Sequence, residues 1–192
     1  MYEQDTRAWL ERAVIGLNLC PFAKAVHVRG QVRYAVSAAV HEDALVADLE
    51  AELKSLVATP ADVCDTTMLI APHLLEAFLD FNDFLGRADD VLHALGLEGE
   101  IQIASFHPDY QFAGTADDDI TNFTNRSPWP ILHLLREASI DRAVDAFPDA
   151  EEIFGRNMQT LQALGAEGWA ALGVGPSPAG QGGGRGYGKL EP

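Results

Sequence analysis

Lysine is nearly absent from this chain. Only Lys24, Lys54 and Lys189 occur, and Lys189 lies in a Gly-rich C-terminal stretch, which leaves few candidates for Schiff-base chemistry. Cysteine is scarcer still, and Cys20 and Cys64 cannot build a disulfide framework. No apolar run reaches membrane-spanning length. The N-terminal MYEQDTRAWLERAV is charged and amphipathic, unlike a secretory leader. Together these absences lead us to expect a reducing, cytoplasmic setting. Neither G-x-x-x-x-G-K-[ST] nor G-x-G-x-x-G stands in the body of the chain. The GQGGGRGYG at 180–188 follows no strand and opens no helix, so no nucleotide cofactor is expected. Positive charge is short as well: 13 Lys and Arg face 29 Asp and Glu, for a net charge of −16. That balance repels phosphate backbones and anionic lipid, so neither nucleic acid nor membrane is an expected partner.

What is present suffices for a core, since 47% of the 192 residues are hydrophobic. We expect a single globular domain over residues 1–172 and a flexible Gly/Pro-rich tail over 173–192. Apolar residues at helical spacing predict a first helix from Thr6 to Leu19, stopped by Cys20-Pro21. Residues 31–40 predict a strand, and Leu45, Leu49, Leu53 and Leu56 one face of a second helix. Strands are expected at 66–71 and 101–106, with a helix over 74–85 between them that Val91 to Leu95 could extend. Ser127-Pro128 reads as a helix start that carries HLLRE at 133–137. Another helix is expected to begin near Ser139 or Ile140. A last one, capped by Asp149, ends at Gly165. The implied class is α/β or α+β: a small three- to four-stranded sheet covered by several helices, with parallel crossovers favoured. A fourth strand is sought between Asp109 and Phe123, or from Val26 to Arg29.

The polar segment 106–137, FHPDYQFAGTADDDITNFTNRSPWPILHLLRE, is where a site is expected, because ordering so polar a connection costs entropy and buries little apolar surface. On a helix, His133 and Glu137 would share one face. With His107 past a strand end, they form the ligand set of one divalent metal, zinc or iron, or an acid and a base without one. Tyr110 is a candidate acid or hydrogen-bond donor. Arg126, Arg136 and the N–H groups at Ser127 would hold an anionic small molecule, with Asn122 and Asn125 orienting it. Cys20 supplies an alternative, a thiol nucleophile, although the C-terminus of the first helix would raise its pKa. A third reading is non-catalytic, an anionic-ligand or partner-binding domain. Oligomeric state is left open.

NLCPFA at 18–23, DTT at 65–67, QIASFHPDYQFAG at 102–114 and TNRSPWPILHLLRE at 124–137 resemble one bacterial family, that of domain of unknown function 1415, over about residues 5–168. The resemblance carries no activity with it. It implies that Cys20, His107, Tyr110, Asn125, Arg126, Ser127, His133, Arg136 and Glu137 stand at motif positions.

Overall fold

Four leucines at helical spacing, Leu45, Leu49, Leu53 and Leu56, need an apolar partner. They find it on one face of a four-stranded sheet. The computed structural model describes residues 1–145 and 152–176. The chain begins with α1 (Tyr2–Trp9), which continues into a π-helical turn (Leu10–Ile15). Then follow α2 (Ala23–Val28), β1 (Val32–Val36), α3 (Glu42–Ala58), β2 (Thr66–Ile70) and α4 (Phe78–Leu95). A left-handed Gly96 (φ 67°) closes α4, a conformation glycine adopts without steric cost. β3 (Ile101–Phe106), a 3-10 turn (Ile120–Thr124), β4 (Ile131–Arg136), α5 (Glu137–Asp145) and α6 (Ile153–Ala171) complete the described elements.

The sheet order is β1-β2-β4-β3. β1 and β2 are parallel, while β4 runs antiparallel to both β2 and β3, so the fold is α+β. Side chains alternate across a strand, and the alternation sorts the core into two layers. Leu69, Leu132, Leu134 and Ile101 meet α3 and α4 through Leu45, Leu49, Leu53, Phe81 and Phe84. Met68, Ile70 and Ile131 meet α1 and the π-helical turn through Trp9, Leu10, Ala13 and Val14. Val174 is buried in that second layer, so the packed body reaches past residue 172.

The expected helix from Ser127 is the main correction. Residues 131–136 form a central strand, and they supply the fourth strand sought elsewhere. Pro130 cannot donate to a helix ladder. The ILHLLR run is apolar on both sides because β4 is covered on both faces, a pattern whose period is masked. Parallel crossovers therefore apply to β1 and β2 alone. The expected first helix contains a π-helical turn and starts earlier, and α4 is one helix through Leu95. The Asp149 cap lies outside the described residues, as do 177–192 of the expected tail. In α6 the helix breaks at Gly165 (φ 66°, ψ 175°) and resumes to Ala171.

The backbone at Gly165 is one that only glycine occupies comfortably. Gly165→Ala should therefore destabilise by about 1–3 kcal/mol. Gly86, inside α4 with open space where a Cβ would sit, should respond with the opposite sign, and Gly86→Ala should gain about 0.5–1 kcal/mol. Urea unfolding of the two variants beside the parent checks both; a stabilised Gly165→Ala would deny the kink.

Candidate functional site

His107 follows β3 and turns toward α4. It is fully buried, between the rings of Phe78 and Phe81. Its Nδ1 accepts from the Asp109 N–H at 3.0 Å. Nε2, left with the proton, donates to the Leu75 carbonyl at 3.0 Å. Burial lowers its pKa, which suits a neutral ring with one donor and one acceptor. Both nitrogens are occupied, so His107 fastens the polar loop to the segment before α4, where Leu75 has a positive φ of 60°.

The rest of the loop shows the same pattern. Asn122 is fully buried; its Oδ1 accepts from the Phe112 N–H and the Thr115 hydroxyl, and its Nδ2 donates to the Ala116 carbonyl. Asn125 Nδ2 donates to the Ser105 carbonyl. Arg126 donates to the carbonyls of Tyr110 and Asp117 and lies over the Phe123 ring, and burial lowers its pKa. Tyr110 packs between Phe78 and Phe112. Ser127 is buried and donates to the Trp129 carbonyl. It heads no helix, so the expected anion cradle of helix N–H groups is not built there. The Trp9 indole N–H donates to the Arg126 carbonyl at 2.9 Å, which ties the loop to α1.

Arg136 sits at the end of β4 and donates to the carbonyls of Leu56, Thr59 and Cys64. Two of these carbonyls, Leu56 and Thr59, lie at the C-terminus of α3, where a cation is favoured, and Leu56 also accepts from the Thr59 N–H; the Arg136 Nε is buried without a partner among the described residues. Glu137 opens α5 and does not share a helix face with His133, because His133 lies within the preceding strand.

His133 is set into the opposite face of the sheet from His107. Its neighbours in register are Met68 on β2 and Ala104 on β3, and Phe106 lies beside its ring. His107 packs on α4, in the other layer. The sheet therefore separates the two histidines, and among the described residues no group of three His, Cys, Asp or Glu side chains is placed to hold a metal. His133 Nε2 meets the Thr66 hydroxyl at 2.7 Å, and that hydroxyl also meets the Leu134 carbonyl at 2.7 Å. A carbonyl can only accept, so the single hydroxyl proton goes to Leu134 and Nε2 carries the ring proton. Nδ1 keeps its lone pair, with no hydrogen bond among the described residues. Burial pushes the His133 pKa down to about 4, and the ring is neutral near pH 7.

Cys20 packs against this same layer. It lies before the start of α2, and the Phe22 and Ala23 N–H groups favour its thiolate, but burial outweighs them and raises its pKa. The direction matches expectation, although the cause is burial rather than a helix C-terminus. Two polar groups of the site escaped the sequence reading. Thr66 is one. The other is Tyr34, on the same face as His133, whose hydroxyl is buried without a partner and whose pKa burial raises to about 12. The DTT run at 65–67 offered a weak signal for Thr66, and nothing marked Tyr34.

His107→Ala strands a buried carbonyl and a partly buried N–H, each costing about 1–3 kcal/mol. It should lose about 2–5 kcal/mol of stability and leave any metal affinity of the chain unchanged. Calorimetric titration with zinc, beside urea unfolding, distinguishes this fastener from a ligand. His133 predicts a pH effect. An unfolded His titrates near 6.5 and the native one near 4, so between these values the unfolded state binds the extra proton and stability falls with pH. From about pH 7.5 to about pH 5 the parent should lose roughly 2 kcal/mol more than His133→Gln. Equal losses would mean a native His133 that titrates normally.

Comparison with known proteins adds one result. The protein family of unknown function DUF1415 matches residues 1–171. No curated protein and no solved structure matches the chain. With nearly nine-tenths of its length matched, the chain belongs to the DUF1415 family.

Proposed function

We propose that this chain is a small enzyme in which His133 exchanges a proton with a small molecule bound on the α1 side of the sheet, without a metal held by His107, His133 and Glu137. The free Nδ1 of a neutral, tautomer-locked imidazole carries this reading. Nε2 is anchored, so the ring cannot turn its lone pair away. Ala104, Phe106, His133 and Leu135 are all only half-buried, which leaves this part of the face open to a small ligand. A proton taken by Nδ1 creates an imidazolium that burial disfavours. Such a cation is a strong acid and passes the proton on to a leaving group. A π-helical turn covering the same layer agrees with a site, since such turns are frequent at functional positions. An anionic substrate finds less support, because Arg126 and Arg136 point their donors at backbone carbonyls. A second reading makes Cys20 the nucleophile, supported by the Phe22 and Ala23 N–H groups at its sulfur.

Carbethoxylation with diethyl pyrocarbonate, mapped by peptide mass spectrometry, tests the main reading. We expect His133 to react and His107 not to. If His133 stays unmodified while the exposed His93 is fully modified, no substrate reaches Nδ1 and the reading fails. Iodoacetamide labelling in the same experiment tests the second: an inert Cys20 is a packing residue.

A further inference from the structure

The strands of this sheet hold two charged residues, Arg33 on β1 and Arg136 at the end of β4. Both turn to the α3 side, where Arg33 meets Glu52 and Arg136 meets the Leu56 and Thr59 carbonyls. Side chains alternate along a strand, so the face that carries His133 has no charged side chain at any strand position. The residues of α1 and the π-helical turn buried against it, Trp9, Leu10, Ala13 and Val14, are apolar as well. Arg7 does stand over Tyr34, but at the far edge, with β2 between β1 and β4, and it is paired with Glu3. The two buried histidines register the difference. The His107 pKa responds to Asp109 and Arg126 as well as to burial, while that of His133 responds to burial alone.

A ligand that meets Nδ1 leaves water at a place where no opposite charge waits for it. A carboxylate, a phosphate or an ammonium group loses its hydration there without compensation. An uncharged molecule does not, and Met68, Ala104 and Phe106 beside the ring offer it apolar contact. Proton transfer from such a molecule also keeps the total charge at zero. Its O–H or N–H bond breaks, the electron pair stays on the ligand, and the new N–H bond forms at Nδ1. The anion and the imidazolium then lie in contact and compensate each other. Burial on this face decreases toward one corner: Met68 and Ile131 are buried, His133, Ala104 and Leu135 half-buried, and Gln102 exposed. Gln102 pairs with Leu135, which places it diagonal to His133 at about 7–8 Å. Its carboxamide has no hydrogen bond among the described residues.

We propose that the molecule which meets His133 is uncharged, presents an O–H or N–H donor to Nδ1, and has a second polar group held by the Gln102 carboxamide. This rests on the His133 reading and adds to it the class of the ligand. Gln102 is then the residue that orients the ligand at the open corner of the face.

Phenol, benzoate and benzylammonium have similar shapes and differ in charge near neutral pH. Each is titrated to millimolar concentration into the full chain labelled with nitrogen-15, and the His133 ring nitrogens are followed by NMR, assigned with His133→Gln. Phenol should shift Nδ1 saturably, and the two ions should bind there about tenfold or more weakly. Gln102→Leu, a change at an exposed position, should weaken phenol by about three- to tenfold while Nε2 stays protonated. Benzoate or benzylammonium bound at His133 as tightly as phenol overturns the proposal and leaves the His133 site standing. So does a folded Gln102→Leu chain that binds phenol as the parent does. If no probe moves Nδ1 although diethyl pyrocarbonate modifies His133, the proposal fails alone. If the reagent does not reach His133 either, the reading beneath it fails too. Should Gln102→Leu not fold, the ranking of the three probes in the parent decides.

Discussion

The pairing of β4 on both sides is the constraint on which the remaining structure depends. A strand covered on both faces has no water to satisfy its backbone, so each N–H and C=O must find a neighbour. β4 meets this demand by bonding β2 through its even residues and β3 through its odd ones, as the Ala71–Pro130 and Glu100–Glu137 bonds at its two ends show. Its side chains then have no freedom of direction. Leu132 and Leu134 must enter the α3/α4 layer, and Ile131 and His133 must enter the α1 layer. The position of the one imidazole in this strand is a consequence of that register, and a slip of one residue would place it among Phe81, Phe84 and the leucines of α3.

The polar loop depends on the same strand, since it is the connection that brings the chain from β3 back to β4. Twenty-odd residues without long regular structure lose much entropy on ordering. Here polar side chains take the place of a ladder. Asn122 closes the loop on itself, Asn125 and Arg126 tie it to β3 and to Tyr110, and His107 ties it to Leu75. The abundance of Asn, Asp, Thr and Arg in this segment thus has a structural cause. A motif rich in groups capable of chemistry is therefore weak evidence of chemistry until their hydrogen bonds are accounted for.

That point also marks how far the sequence could be read. The strands at 66–71 and 101–106 and the leucine face of α3 were legible because local period and breakers agreed. β4 was not, because a doubly buried strand loses its period of two and HLLRE fits helical spacing equally well. Pro130 was the one local sign against a helix. The error propagated: a helix there put His133 beside Glu137 and gave Ser127 a cap to make. Nor could local spacing show the partners of the histidines. Asp109 lies two residues from His107, but Leu75 and Thr66 come from distant segments that only the tertiary fold brings near.

His107 and His133 show why a lowered pKa does not by itself identify a working group. Burial depresses both, and each is a neutral imidazole in an apolar layer. They differ in saturation. His107 has a donor on one nitrogen and an acceptor on the other, so proton transfer at either would break a buried bond. His133 has one nitrogen held and one available, and holding the first is what makes the second directional. A purely structural imidazole would gain stability from a partner at Nδ1, and glutamine could serve Thr66 without the cost of excluding a proton below neutral pH. Among the described residues His133 Nδ1 has no hydrogen-bond partner, and on the reading proposed above that lone pair is the one that meets the substrate.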